Sequence, residues 1–364
     1  GMASRETSVF EMQSQRDILF GPNPQGLEAA AAINFSTVDG QFNGEDIGLL
    51  RVIDTDDFGT STYVSSVVAG VSSNGGRTYG LQRKPLLHMH MPGMEHALGM
   101  GPEDPHGFIV GDELAITYNA ARLAPGMKRP HVEIGLATTK SLDEEPTVHG
   151  RIIGTAPDNE DIRFKAADGI VMESGRIMLA FTMATESSLG SIMAWHFSDL
   201  DELKKGLSKE QVGELLYDYH KHALWVPTGE RIRRGPEVAS PFVKTEHGYL
   251  ALISREDSDP EPTWEPAAIL TDLDDPQKVI GYMELKVANE IPPELLPEDC
   301  QVEVVQNVRF PSGLKIIVDP ATGKKQIVMH YGRNDKFTTS ALADYEEFMK
   351  ALKSSEPPER TWPR

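Results

Sequence analysis

A small pattern returns five times along the chain: an apolar strand, a tight polar or glycine turn, a second apolar strand, a short excursion, and a third strand closing on an acidic or serine-rich turn. The first copy runs from Ile47-Gly48-Leu49-Leu50-Arg51-Val52 to Val67-Val68-Ala69-Gly70-Val71-Ser72. The second links Gly107-Phe108-Ile109-Val110, Leu114-Ala115-Ile116-Thr117-Tyr118 and Ile134-Gly135-Leu136-Ala137, and the third links Gly169-Ile170-Val171-Met172, Ile177-Met178-Leu179-Ala180-Phe181 and Ile192-Met193-Ala194-Trp195. The fourth spans Pro241 to Leu270 and the fifth Val308 to Ala341. A spacing of roughly 60 to 70 residues fits four short strands with long loops. The pattern predicts an all-β chain, a five-bladed β-propeller.

Composition is consistent with that reading, since 39% hydrophobic residues can build a core while 32 Gly and 25 Pro supply turns. A propeller is one closed ring, so the expected organisation is an N-terminal extension at 1–22, a single propeller domain at 23–352 and a tail at 353–364. The net charge of −20 argues against nucleic acid or an anionic membrane as partner. The run Arg231-Ile232-Arg233-Arg234 is the exception, read as a solvated loop or the edge of an anion-facing site. Cys300 stands alone, so no intramolecular disulfide can form. No run approaches the roughly 18 apolar residues of a membrane span. The polar start lacks the pattern of a secretory signal, so a cytoplasmic location is expected.

One stretch breaks the β rhythm. From Asp199 to Tyr219 the chain carries helix formers, with Ser208 as N-cap and Val212, Leu215, Leu216 and Tyr219 at helical spacing. We expect a helical insertion, about 199–222, between blades three and four. A short helix is also expected over Ala343–Leu352.

Propeller chemistry gathers where inner strand ends meet the central channel, which directs attention to polar residues flanking the copies. Glu103, Asp104 and His106 enter the second, Arg51 leaves the first strand of the first, Asp168 enters the third, Glu237 precedes the fourth, and Tyr331-Gly332-Arg333-Asn334-Asp335 follows an apolar strand of the fifth. Carboxylates and an arginine converging on a channel suit carbohydrate chemistry, in which one acid protonates a leaving oxygen and a second group activates the nucleophile.

The fourth copy, through Val243-Lys244-Thr245-Glu246-His247-Gly248-Tyr249-Leu250 and Ala268 to Ile280, resembles glycoside hydrolase family 130, the β-mannoside phosphorylases and β-mannosidases. Asn307-Val308-Arg309-Phe310-Pro311-Ser312-Gly313, Tyr331 to Asp335, and Glu103-Asp104-Pro105 extend the likeness. The resemblance implies a five-bladed propeller, a catalytic acid at Asp104, a sugar-contacting aspartate at Asp335 and an arginine facing sugar and phosphate at Arg51. His106, Asp168, Arg234, Trp264 and Tyr331 complete the expected substrate-binding set. An oligosaccharide is the implied partner and no cofactor is implied, only inorganic phosphate as co-substrate for a phosphorylase. Oligomeric state is left open.

The departures bear on the nucleophile. Gly235 and Ser254 stand where the family's phosphorylases place a lysine and a histidine, and His106 stands where they place an arginine. Without a cationic cradle, phosphate loses charge-assisted hydrogen bonds and water becomes the favoured nucleophile. Inverting hydrolysis then needs a general base, for which Glu237 and Glu256 are the candidates. Arg51, Lys165 or Arg234 would rebuild a phosphate clamp in a phosphorylase, and a noncatalytic sugar-binding propeller is the third class. His88-Met89-His90 with His96 is read as one polar strand face rather than a metal cluster. Trp195, Trp225 and Trp264 are candidates to stack on sugar rings; Trp195, within a strand, is assigned to packing, and Trp264, expected on a loop, is the better sugar platform.

Overall fold

The apolar runs of the sequence become strands buried on both faces. The chain is seen in a computed structural model that describes residues 8–54, 63–154, 162–185, 190–225, 232–257, 263–301 and 308–357. After β1 (Val9–Phe20) comes a four-stranded sheet of β2 (Ala31–Thr37), β3 (Asp46–Ile53), β4 (Ser65–Ser72) and β5 (Gly80–Leu81). A second holds β6 (Gly99–Val110), β7 (Glu113–Arg122), β8 (His131–Thr139) and β9 (Thr147–Ile153), and a third β10 (Ile162–Val171), β11 (Ile177–Thr185), β12 (Ser191–Phe197) and β13 (Ala223–Trp225). The remaining strands are β14 (Ile232–Val238), β15 (Val243–Thr245), β16 (Gly248–Asp257), β17 (Thr263–Thr271), β18 (Val279–Ala288), β19 (Arg309–Val318), β20 (Lys325–Arg333) and β21 (Phe337–Asp344). They join β1 in a nine-stranded sheet of order β14-β16-β17-β18-β1-β21-β20-β19, with β15 also pairing β16.

A strand covered on both faces has no solvent side, so it reads as a continuous apolar run rather than an alternating one. β7 is buried from Leu114 to Ala121, whereas β9, at the outer edge of the same sheet, is partly or fully exposed from Thr147 to Arg151. The cover comes from neighbouring sheets. Leu49 and Val67 of the first sheet pack with Leu114 and Tyr118 of the second. Phe108 and Ile134 of the second pack with Phe164, Phe181 and Trp195 of the third. Met178 and Trp225 of the third meet Tyr249 and Tyr282 of the nine-stranded sheet, Trp225 stacking on Tyr282 at 4.7 Å. The Thr37 hydroxyl links the first sheet to the last, donating to Leu314 O at 2.8 Å and accepting from Leu314 N at 2.9 Å. Such a succession of sheets packed face to face is a propeller-like arrangement.

Three elements differ from the sequence expectation. Val9–Phe20, assigned there to an extension, is a strand of the nine-stranded sheet, running parallel to β18 and antiparallel to β21. The helical segment forms α1 (Leu200–Lys205), α2 (Lys209–Tyr217) and α3 (Tyr219–His222), but the chain then returns to β13 in the same third sheet, so the helices connect two strands of that sheet. Ser208 caps α2 in a reciprocal capping box with Gln211. His88-Met89-His90 is a turn and not a strand, with His90 N donating to His88 Nδ1 at 3.2 Å. The last two helices are α4 (Glu298–Gln301) and α5 (Tyr345–Ser354), the latter capped by Asp344 accepting from Glu347 N. Among the described residues no helix is long and apolar enough to cross a membrane.

Candidate active site

The site is built by one backbone irregularity used repeatedly. β2, β6, β10, β14 and β19 each bulge by one residue against the strand beside them at a corresponding place: between Ile33 and Ser36, Glu103 and His106, Lys165 and Asp168, Arg234 and Glu237, and Pro311 and Gly313. A bulge of this kind bends the strand and re-aims side chains. Residues from or just beyond these bulges, including Asn34, Ser36, Asp104, His106, Ala166 and Ser312, line one narrow cavity of about 10 Å³.

The bulged residues Asn34, Asp104 and Ala166 have φ of 54°, 44° and 54°. Asn and Asp tolerate this left-handed conformation, whereas at alanine it costs about 1–2 kcal/mol. Asn119 of β7 offsets the strain, its Oδ1 accepting Ala166 N–H at 2.8 Å while its Nδ2 donates to Asp104 Oδ2 at 2.9 Å. One side chain therefore braces two bulges. From the first sheet, Arg51 Nη1 donates to Asp104 Oδ1 at 2.9 Å, its Nη2 lies 3.2 Å from Glu103 Oε1, and its Nε donates to Ser65 Oγ at 2.9 Å. The Asp104 side chain remains 22% exposed, more than Arg51 or Glu103, which makes it the member of the trio most open to a ligand.

Burial raises the Glu103 carboxyl to about 7, with Asp104 adding to the rise and Arg51 opposing it. Glu103 is thus poised to hold or release a proton near neutrality. Lys165 of β10 forms an ion pair with the buried Glu237 of β14. Burial likewise raises the Asp335 carboxyl, helped by the negative charges of Asp104 and Glu237 and opposed by Arg51. Asp335 therefore shares the field of that cluster.

No protein-family model and no curated protein matches the sequence. A solved structure described with the words that the GH130 family of mannoside phosphorylases contains glycoside hydrolases targeting β-1,2 mannosidic linkages in Candida mannan aligns over 98% of each chain, with a TM-score of 0.63 and 15% identity. The fold is that of the GH130 structures. A β-1,2-mannobiose phosphorylase from Listeria innocua, in complex with β-1,2-mannobiose, aligns over 92% of this chain and 97% of its own, with a TM-score of 0.62 and 19% identity. A mannose phosphorylase from Leishmania mexicana, in complex with phosphate ion, aligns over 99% and 93%, with a TM-score of 0.58 and 14% identity.

On this GH130 fold the sequence candidates fall into three groups. Arg51, Asp104, Lys165, Glu237 and Asp335 form the charged cluster. Beside it, His106 Nδ1 lies 3.0 Å from Asp168 Oδ2, and burial raises the Asp168 carboxyl against the opposing hydrogen bond from His106. Glu256 is buried on β16, opposite Arg234 and Trp264 in register. The side chain of Arg234 lies outside the described residues, as does Arg231. The Tyr331 hydroxyl instead donates to Glu290 Oε1 at 2.9 Å from within an apolar core. Trp264 stands in β17 rather than on a loop and packs against Phe310 at 5.6 Å. Trp195 stacks on His222 at 4.6 Å, and His96 bonds the Tyr118 hydroxyl at 2.7 Å, so both serve packing.

Ser65 and Asn119 are the site residues that the sequence pattern does not single out, and Glu103 is singled out there without a site role of its own. Glu103 was visible beside Asp104. Asn119, immediately after the apolar run Leu114–Tyr118, carried only the signal of an amide ending a buried strand.

Proposed function

We propose that the chain is a carbohydrate-active enzyme that cleaves a β-mannoside or related glycoside by hydrolysis with inversion. On this reading the five bulged strands are the inner strands of five blades, three of them the separate four-stranded sheets and two lying within the nine-stranded sheet. Asp104 acts as general acid, delivering a proton toward the leaving oxygen, and Glu237 or Glu256 activates water on the opposite face of the sugar. Arg51 and Asn119 orient Asp104, and Asp335 contacts sugar hydroxyls.

The observation that carries hydrolysis is the state of the two cations in the cluster. Arg51 is engaged by Asp104 and Glu103, and Lys165 by Glu237. A phosphate nucleophile would have to displace those carboxylates and sit among Glu103, Asp104, Glu237 and Asp335, whereas water carries no charge to repel. The Listeria innocua structure holds β-1,2-mannobiose, which makes that disaccharide the first substrate to try.

The test is product analysis with β-1,2-mannobiose and a panel of β-mannosides, with and without inorganic phosphate, using Asp104→Asn as the blank. Free sugar formed at the same rate in both conditions is the expected result. A sugar 1-phosphate that requires added phosphate would replace hydrolysis with phosphorolysis. Binding without turnover throughout the panel would identify a sugar-binding propeller.

A further inference from the structure

A second cavity, of about 260 Å³, opens beside the turn between β20 and β21, with Glu290, Ile291, Arg309, Arg333 and Asn334 in its wall. Arg333 and Asn334 are 7% and 6% exposed, so both are more than nine-tenths buried. Among the described residues Arg333 has no carboxylate partner. Nη1 donates to Ile291 O at 3.0 Å and the guanidinium lies over the Phe337 ring at 5.6 Å, which leaves most of its five N–H donors unused. Asn334 spends its backbone N–H on Val308 O, and among the described residues its side-chain amide has no hydrogen-bond partner.

Glu290 shares the wall but is committed elsewhere. Its Oε1 accepts from the Tyr331 hydroxyl at 2.9 Å and its Oε2 from Arg309 Nε at 2.8 Å. Arg309 is in turn held between Glu290 and Glu265. The open donors of the cavity are therefore the Arg333 guanidinium and the Asn334 amide. A buried guanidinium without a counter-charge is costly, and its planar fork matches an oxyanion. By contrast, Arg51, Arg255 and Arg309 all reach a carboxylate within 3.3 Å.

We propose that this cavity binds a small oxyanion, a carboxylate or phosphate group, through Arg333 and Asn334. The turn divides its work. Asn334 and Asp335 take consecutive left-handed conformations, φ 56° and 52°, and Asn334 faces this cavity while Asp335 lies in the field of Arg51 and Asp104. An acidic group borne on a sugar would thus sit one residue from the charged cluster, and a free phosphate would occupy the same fork.

Titration calorimetry of the full chain tests this with four probes: inorganic phosphate, D-mannose 6-phosphate, D-mannuronate and neutral D-mannose. At least one anion should bind with 1:1 stoichiometry, at least about tenfold more weakly to Arg333→Met, with Arg333→Lys intermediate because it keeps charge without the fork. Near-ultraviolet circular dichroism checks each fold; if Arg333→Met does not fold, Arg333→Lys and Asn334→Ala carry the comparison. Binding of inorganic phosphate identifies a free anion, and binding confined to the acidic sugars identifies a substituted substrate. The proposal is overturned if no anion binds at millimolar concentration, if the substitutions leave the affinity unchanged, or if neutral mannose binds as tightly. The readout is binding, so it stands or falls apart from the proposed hydrolysis.

Discussion

Arg51 reaches across from the first sheet to Asp104 of the second, Nη1 to Oδ1 at 2.9 Å, while Asn119 occupies the other carboxylate oxygen at the same distance. The carboxyl is therefore held in one orientation from two sides. Asp104→Asn keeps the size of the group but turns an amide N–H₂ toward one of these donors and cannot deliver a proton. We expect turnover of β-1,2-mannobiose to fall about 10²–10⁴-fold, the usual range for a lost acid, measured as initial rate of product release. A fall of less than tenfold would remove Asp104 from the acid role.

Lys165 and Glu237 join β10 to β14 at the same site. Lys165→Met strands a buried carboxylate, and we expect a loss of about 1–3 kcal/mol in urea unfolding. The double variant Lys165→Met/Glu237→Gln should recover part of that loss, because the uncompensated charge is gone. Equal stability of the single variant and the wild type would show that the pair contributes nothing.

Glu103 makes stability depend on pH with a definite sign. Its folded carboxyl titrates at about 7, above the ordinary value of 4.5, so between those values the folded state holds a proton that the unfolded state has released. Its contribution is present below about pH 4.5 and is lost as pH rises through 7, amounting to no more than about 3 kcal/mol. Glu103→Gln should flatten this slope, read as the difference between variant and wild-type unfolding free energies from pH 4.5 to 8. A difference independent of pH would rule out the shift.

Gly101 explains why the approach to Glu103 and Asp104 has no side chain. Its φ is 83°, and a Cβ there would stand 2.2 Å from the Ser65 carbonyl oxygen, on the residue whose hydroxyl accepts from Arg51. Gly101→Ala should destabilise the protein by about 2 kcal/mol or more through strain and clash, and lower turnover by moving Ser65. Thermal unfolding together with the initial rate checks both effects.

Much of the strand content was legible because the middle strands, such as Leu114–Ala121, are covered on both faces and read as unbroken apolar runs. The inner strand of the first sheet was not. Asn34, Ser36 and Thr37 interrupt its apolar run, so the sequence pattern begins the first repeat at β3 and makes Arg51 the end of a first strand. Asp104, Glu237 and Lys165 were legible as charges near strand starts, yet their convergence depends on bulges that no residue pattern announces. Ala166 is the clearest case, since an alanine gives no sign of a left-handed backbone until Asn119 is seen to hold it. Trp264 and Tyr331 show the opposite limit: Trp264 reads as a sugar platform and Tyr331 as a substrate-binding residue, whereas the fold places one in a strand against Phe310 and turns the other's hydroxyl to Glu290.

The shared strand β1 also dictates an order of assembly. Val9 pairs with Glu284 and Ser14 with Ala341, so the segment synthesised early among the described residues waits for partners near the other end before it can hydrogen-bond. Until then β18 and β21 both present open edges, the kind of surface on which chains join one another. Docking of β1 is therefore the step that covers both edges at once, and a chain that has not yet made it carries two strands able to pair with another copy.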